Sequence, residues 1–279
     1  MILGISSFTY GWAIGIEGNM PPNPLNEVDL VNKTVQAGLF CLQIGDNLPL
    51  HLFSEERLAR LKTLVIKDNI RLEIGARKLT PEHLQRYIKL AAFFESPLLR
   101  FVIDGDHYEP DSATIIHIIK DALPILKENN IILGIENHDR FKATALASIM
   151  DAVASDQVGI CLDCVNSLGA GEGFEWVSDV LSPYTVNLHI KDFSIKRFPH
   201  KMGFTVTGSA TGKGMLNLPL LLEKLSKHKR CTSAVLEQWM APEEKIEDTV
   251  TKEDAWAAEG IQYLKQLPYF KTKDLNFTR

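Results

Sequence analysis

The chain has 279 residues, 45% hydrophobic and 23% charged, with 30 basic against 35 acidic residues for a formal net charge of -5. That balance supplies ample core material for a globular protein and offers no bulk attraction to nucleic acid or an anionic membrane, so any anion site must be built locally. No stretch nears the roughly 20 apolar residues that a bilayer span needs, and the opening MILGISSFTYGWAIG carries no basic leader, so a cytoplasmic protein without a membrane partner is expected.

Short β-rich runs recur along the chain at MILGISSF (1–8), LFCLQIGD (39–46), IRLEIGAR (70–77), LLRFVIDG (98–105), IILGIENH (131–138), VGICLDCV (158–165), TVNLHIKD (185–192) and SAVLEQWM (233–240). Segments with helical periodicity separate them. Ser54 precedes one over 55–67, and Thr80-Pro81-Glu82 opens another that runs to residue 94, with Pro81 at a first helical position where its missing N–H costs nothing. The same alternation continues through 112–128, 142–154, 172–181, 216–228 and 253–267, and Pro124 predicts a kink in the first of these. Repeated β-α units without a composition shift predict one α/β domain over 1–279, a (β/α)8 TIM barrel with an extended loop (192–214) after the seventh strand. The open-sheet alternative lacks a GxGxxG after any strand. GSATGKG (208–214) makes a poor phosphate loop, one residue short and without Ser or Thr after the lysine.

Cys41, Cys161, Cys164 and Cys231 are too few and scattered for a disulfide framework, so reduced thiols are expected. The CLDC pair falls on a strand, where the two side chains point to opposite faces and should not share a metal.

Polar residues at strand ends carry the functional argument, because barrel active sites lie at the C-terminal ends of the strands. Glu136 ends the fifth strand, Asp163 the sixth, His189 the seventh and Glu237 the eighth. The first two separations, 27 and 26 residues, each match about one β-α unit; the third, 48 residues, contains the long loop. Three carboxylates and one imidazole form a hard, oxygen-rich set that suits Mn2+ first, with Mg2+, Co2+ or Zn2+ behind it.

With the motifs GIENH, LDCVN, HIKD and LEQW, the chain resembles the xylose isomerase-like TIM-barrel superfamily, which holds sugar phosphate isomerases and epimerases, ketose 3-epimerases, inosose dehydratase and apurinic endonucleases. The resemblance implies that Glu136, Asp163, His189 and Glu237 hold one divalent metal, and that Glu136 and Glu237 transfer protons during formation of a metal-stabilised ene-diolate. Two positions depart from the family pattern. Asn166 stands where many members have a histidine three residues after the aspartate, and Ile195 stands where the epimerases place an arginine, followed here by Lys196 and Arg197. The endonuclease branch needs further histidines that the second and third strand ends do not supply.

The long loop carries Lys196, Arg197, His200, Lys201 and Lys213, which points to a small carbohydrate-like substrate bearing a carboxylate or phosphate. Lys191 and His138 share strand parity with His189 and Glu136 and join the substrate-binding candidates with Asn166, Lys196, Arg197 and His200. Gln43, Glu73 and Arg100 are weaker strand-end candidates, and Trp12 and Trp239 offer apolar walls. The expected activity is sugar, sugar phosphate or keto-polyol isomerisation or epimerisation. The alternative is a lyase reaction at the same metal, either 3-oxo sugar-acid decarboxylation of the 3-oxo-isoapionate type or inosose-type dehydration. A homo-oligomer is compatible with the sequence.

Overall fold

In the computed structural model, which describes residues 1–270, eight parallel strands close into a barrel. Residues 271–279 of the expected 1–279 unit lie outside the described residues. The barrel strands are β1 (Ile2–Ser6), β2 (Cys41–Ile44), β3 (Arg71–Arg77), β4 (Leu98–Val102), β5 (Ile132–Glu136), β6 (Val158–Asp163), β7 (Thr185–Ile190) and β10 (Ser233–Leu236). Neighbours in sequence are neighbours in space, and β10 closes the ring between β7 and β1. Most of these strands are buried along their whole length, because one face packs into the barrel and the other against the helices.

The outer layer comprises α2 (Glu27–Gln36), α3 (Glu55–Lys67), α4 (Pro81–Phe94), α5 (Ser112–Glu128), α6 (Ala143–Val153), α7 (Phe174–Leu181), α8 (Leu218–His228) and α9 (Ile246–Lys265), with a one-turn α1 (Gly11–Ile14) ahead of them. Side chains fix several starts. Ser54, Thr80 and Asp111 accept the N–H of Arg57, His83 and Thr114, and such caps contribute about 1 kcal/mol each. Pro81 sits in the first turn of α4, as expected. Helix α5 runs unbroken through Pro124. Helix α2 was not assigned from the sequence; Asn26 and Asp29 form its capping box. No helix among the described residues is long and apolar enough to cross a membrane.

The extended segment after β7 is ordered as an antiparallel hairpin, β8 (Asp192–Arg197) with β9 (Phe204–Ser209). Its root is tied by one carboxylate. Asp192 accepts the backbone N–H of Phe193 (2.8 Å), Gly212 (2.9 Å), Gly214 (2.9 Å) and Leu216 (3.0 Å). Gly212 and Gly214 of GSATGKG thus cradle an internal carboxylate instead of a phosphate. Gly212 adopts φ +90°, and a Cβ on Gly214 would meet Asp192 Oδ1 at 2.1 Å.

Candidate active site

Register brings the four strand-end ligand candidates to one rim. Asp163 of β6 stands opposite His189 of β7, and His189 stands opposite Val235 of β10, two residues before Glu237. The His189 Nδ1 atom is 3.3 Å from Glu237 Oε1, 3.5 Å from Glu136 Oε2 and 3.9 Å from Asp163 Oδ2. All four residues are buried.

Around this core each carboxylate has its own retainers. Ser6 Oγ donates to Glu237 Oε1 (2.7 Å). Asn166 Nδ2 donates to Glu136 Oε1 (2.8 Å), and the Val165 and Asn166 N–H groups each donate to Asp163 Oδ1 at 2.8 Å. Asn137 binds the Asp163 backbone on both sides, accepting its N–H (2.7 Å) and donating to its carbonyl (3.0 Å). Arg100, from β4, donates to Glu136 and also reaches Asp46 (2.5 Å). Lys191 Nζ approaches Asp163 Oδ2 (2.8 Å) and Glu237 Oε2 (2.9 Å) as an ion pair.

These neighbours set the charge states. Burial pushes the Glu237 carboxyl up, but His189, Lys191 and Arg100 outweigh it and hold it at about 2. Burial also disfavours the charged forms of Lys191 and Arg100, yet the surrounding carboxylates keep both well above their ordinary ranges. Asp46 is held at about 2, its burial offset by Arg100 and Arg77. Burial pushes the Cys161 thiol far up, with Glu136 adding to it.

The donor set fits a divalent cation. Asp163, His189 and Glu237 each offer an atom within 4.8 Å of the others. His189 Nδ1 is buried without a hydrogen bond, whereas Asp163 Oδ2 and Glu237 Oε2 meet the Lys191 ammonium; a buried nitrogen of this kind is costly unless a cation or an equivalent partner satisfies it. Glu136 also lies close to His189, in a second grouping that includes Cys161. Cys161 Sγ donates to Asn187 Oδ1 (3.1 Å), so its protonated thiol is a poor ligand. Cys164 packs in the hydrophobic core, and the two CLDC thiols therefore face different surroundings.

The remaining candidates divide. Asn166 and Lys191 contact the cluster. His138 does not, because β5 ends at Glu136 and strand parity stops there; its ring lies 3.4 Å from Asp139. Lys196, Arg197 and His200 project on the hairpin and its turn, where Arg197 covers the Phe204 ring at 4.3 Å and His200 stacks on Phe198 at 5.2 Å. None of these three contacts the four converging residues. Trp239 Nε1 donates to the Asp192 carbonyl (3.1 Å) and Trp12 Nε1 to the Met240 carbonyl (3.1 Å), so both rings are fixed at the rim. Asp46 and Ser6 were missed in the sequence, although Asp46 follows the same strand-end rule that singled out Glu136.

A parallel eight-stranded barrel with a carboxylate–imidazole cluster at the C-terminal strand ends defines a class, and the chain belongs to the xylose isomerase-like TIM barrel family, whose description matches residues 68–267. Among curated proteins it is similar to 3-oxo-isoapionate decarboxylase of Pectobacterium atrosepticum, 29% identical over 264 residues that cover 95% of each chain. Among solved structures, a xylose isomerase-like TIM barrel protein from Mycobacterium smegmatis in complex with magnesium superposes with a TM-score of 0.73 at 13% identity, covering 95% of each chain. D-psicose 3-epimerase from Clostridium cellulolyticum H10 with D-tagatose gives 0.70 at 12% identity, covering 95% of this chain and 99% of that one. The relatives are enzymes, both lyase and epimerase; the structural likenesses establish the shared fold.

Proposed function

We propose that the protein is a divalent-metal-dependent lyase that decarboxylates a 3-oxo sugar acid, with Glu136, Asp163, His189 and Glu237 as the metal ligands and Mn2+ or Mg2+ as the ion. The observation that carries this reading is that each candidate proton-transferring carboxylate already holds a buried cation, Arg100 at Glu136 and Lys191 at Glu237. A carboxylate already paired with a buried ammonium, as Glu237 is with Lys191, makes a weak base toward a C–H bond. Decarboxylation needs no such base. The C–C bond to the carboxylate breaks, its electron pair passes to the neighbouring ketone, carbon dioxide leaves, and the resulting enolate takes a proton on carbon. The 29% identity to a 3-oxo-isoapionate decarboxylase, spread over 95% of both chains, supports the same chemistry.

When bound, the ion would supply Lewis-acid polarisation of the ketone oxygen. The chain's own residues do the rest. Asn166 and Arg100 orient Glu136, Ser6 orients Glu237, and Lys191, at the edge of the cluster, offers an ammonium to an anionic substrate group. The four ligand residues are buried, which keeps bulk water from these charges and strengthens each interaction.

Isomerisation or epimerisation of a sugar or keto-polyol is the second reading, supported by Glu136 and Glu237 reaching His189 from different strands, as an acid/base pair would. Incubating the Mn2+-loaded protein in D2O with 3-oxo sugar acids and with ketoses separates the two. Stoichiometric carbon dioxide from the acid supports the lyase; deuterium exchange into a ketose without carbon dioxide supports the isomerase and overturns the first reading. For the ligand set, Glu237→Gln is expected to lose both bound metal and turnover.

A further inference from the structure

Below the rim, the barrel interior holds a polar chain that the reaction does not call on directly. Glu73 of β3 accepts from Ser233 Oγ (2.6 Å), Gln43 Nε2 (3.2 Å) and Asn187 Nδ2 (3.2 Å), and pairs with Arg71 at 2.9 Å. Every one of these contacts uses Glu73 as an acceptor. Gln43 donates a second time, to Asn187 Oδ1 (3.1 Å), so both hydrogens of its amide group are committed. Its remaining atom, Oε1, lies 2.6 Å from His189 Nε2.

Turning the Gln43 amide over would set its oxygen against Glu73 Oε2 and Asn187 Oδ1, acceptor against acceptor, in a fully buried site. Asn187 is fixed in turn, its Nδ2 on Glu73 and on Ser233 Oγ (2.8 Å), its Oδ1 toward Gln43 and Cys161. Only one arrangement satisfies every member, and it presents a carbonyl oxygen to His189. A carbonyl oxygen can only accept, so Nε2 carries the hydrogen and Nδ1 turns toward Glu136, Asp163 and Glu237.

We infer that Gln43 and Glu73 are positioning residues that fix the His189 ring with its hydrogen on Nε2, leaving Nδ1 as the metal-binding atom. The inference rests on the metal reading above for its purpose, but the ring state it assigns stands on the protein contacts alone. Partners of this kind behind a ligand histidine typically change metal affinity by about 10- to 100-fold when removed.

The test is a long-range proton–nitrogen correlation spectrum of histidine-15N-labelled protein at pH 8, recorded without metal and with Mg2+. Expected for His189 is a hydrogen on Nε2 in both samples, with Mg2+ shifting the Nδ1 resonance. A hydrogen on Nδ1 with a bare Nε2 in either sample overturns the inference. Mg2+ that leaves the Nδ1 resonance unmoved, beside an intact Nε2–H, instead overturns the metal reading and leaves the ring state standing. Glu73→Gln, which frees the Gln43 amide to turn, is expected to weaken Mn2+ binding by at least about tenfold and to split or broaden the His189 signals. A folded Glu73→Gln protein with wild-type Mn2+ affinity and a single wild-type His189 signal also overturns it.

Discussion

Lys191 Nζ lies 2.8 Å from Asp163 Oδ2, an oxygen of a carboxylate that would also hold the divalent cation. The ammonium therefore offsets part of the carboxylate charge by itself. Removing it with Lys191→Met leaves Asp163 and Glu237 buried without that partner, a loss on the order of 3–5 kcal/mol for a broken buried pair. The chelated variant is expected to melt below the chelated wild type, and Mn2+ should raise its melting temperature by more than it raises the wild type's. Turnover should fall by about a hundredfold if Lys191 also steadies an anionic substrate group. Equal melting temperatures for the two chelated proteins would refute the electrostatic role.

Asn166 Nδ2 donates to Glu136 Oε1 at 2.8 Å from the turn that follows β6. Substituting Asn166→Asp places one carboxylate against another, so Glu136, itself a proposed metal ligand, is pushed from its place. Mn2+ affinity is expected to fall by about 10- to 100-fold, the scale for losing a residue that orients a metal ligand, and turnover at limiting Mn2+ should fall with it. Steady-state kinetics alongside metal analysis checks both halves, and unchanged Mn2+ affinity would remove Asn166 from the site.

How far the sequence exposed all this depends on the kind of contact. The barrel was legible because each strand is a short apolar run with turn residues at its ends, and because Glu136, Asp163, His189 and Glu237 repeat one position in the β-α unit. Helix α2 escaped notice because only Leu30, Val31 and Thr34 among its central residues are buried and its polar content is high. The hairpin β8–β9 carries no core signal, because beyond Asp192 and Phe193 its residues are only half-buried or exposed. Partners far apart in the chain were invisible for a simpler reason. Ser6 and Glu237 are 231 residues apart and meet only because β10 closes against β1. His138 lies beyond β5, which ends at Glu136, so the alternation of side chains along that strand does not extend to it.

Gly214 stands within the cradle around Asp192, where a Cβ would meet Asp192 Oδ1 at 2.1 Å and the Phe193 carbonyl at 2.5 Å. Neither neighbour can retreat cheaply, since Asp192 accepts four backbone N–H groups and Phe193 is on a paired strand. Gly214→Ala is expected to cost about 1–3 kcal/mol by overpacking and to loosen the hairpin root next to Lys191. Urea denaturation measures the first effect and limited proteolysis within 192–214 the second. A variant as stable and as protease-resistant as the wild type would show that the Asp192 cradle is not what orders this segment.

Glu253 sits on α9 beneath the loop after β1, where its carboxylate accepts the N–H of Trp12 (2.9 Å) and of Ala13 (2.9 Å) and so anchors the rim that carries the Trp12 ring. Burial is the dominant influence and raises its carboxyl to about 7, with Asp254 adding to the rise and the two N–H donors opposing it. The folded protein therefore binds a proton more tightly here than the unfolded chain does. Its contribution to stability is complete below the ordinary carboxyl value of 4.5 and is lost as pH rises through about 7. By pH 8 the loss is on the order of 3 kcal/mol. Glu253→Gln cannot titrate; its single oxygen keeps one of the two backbone donors and its amide nitrogen leaves the other without an acceptor, a cost that does not change with pH, so its stability relative to wild type should improve steadily from pH 5 to pH 8. Urea unfolding at both pH values measures the difference, and parallel pH profiles for the two proteins would show that Glu253 is not the group responsible.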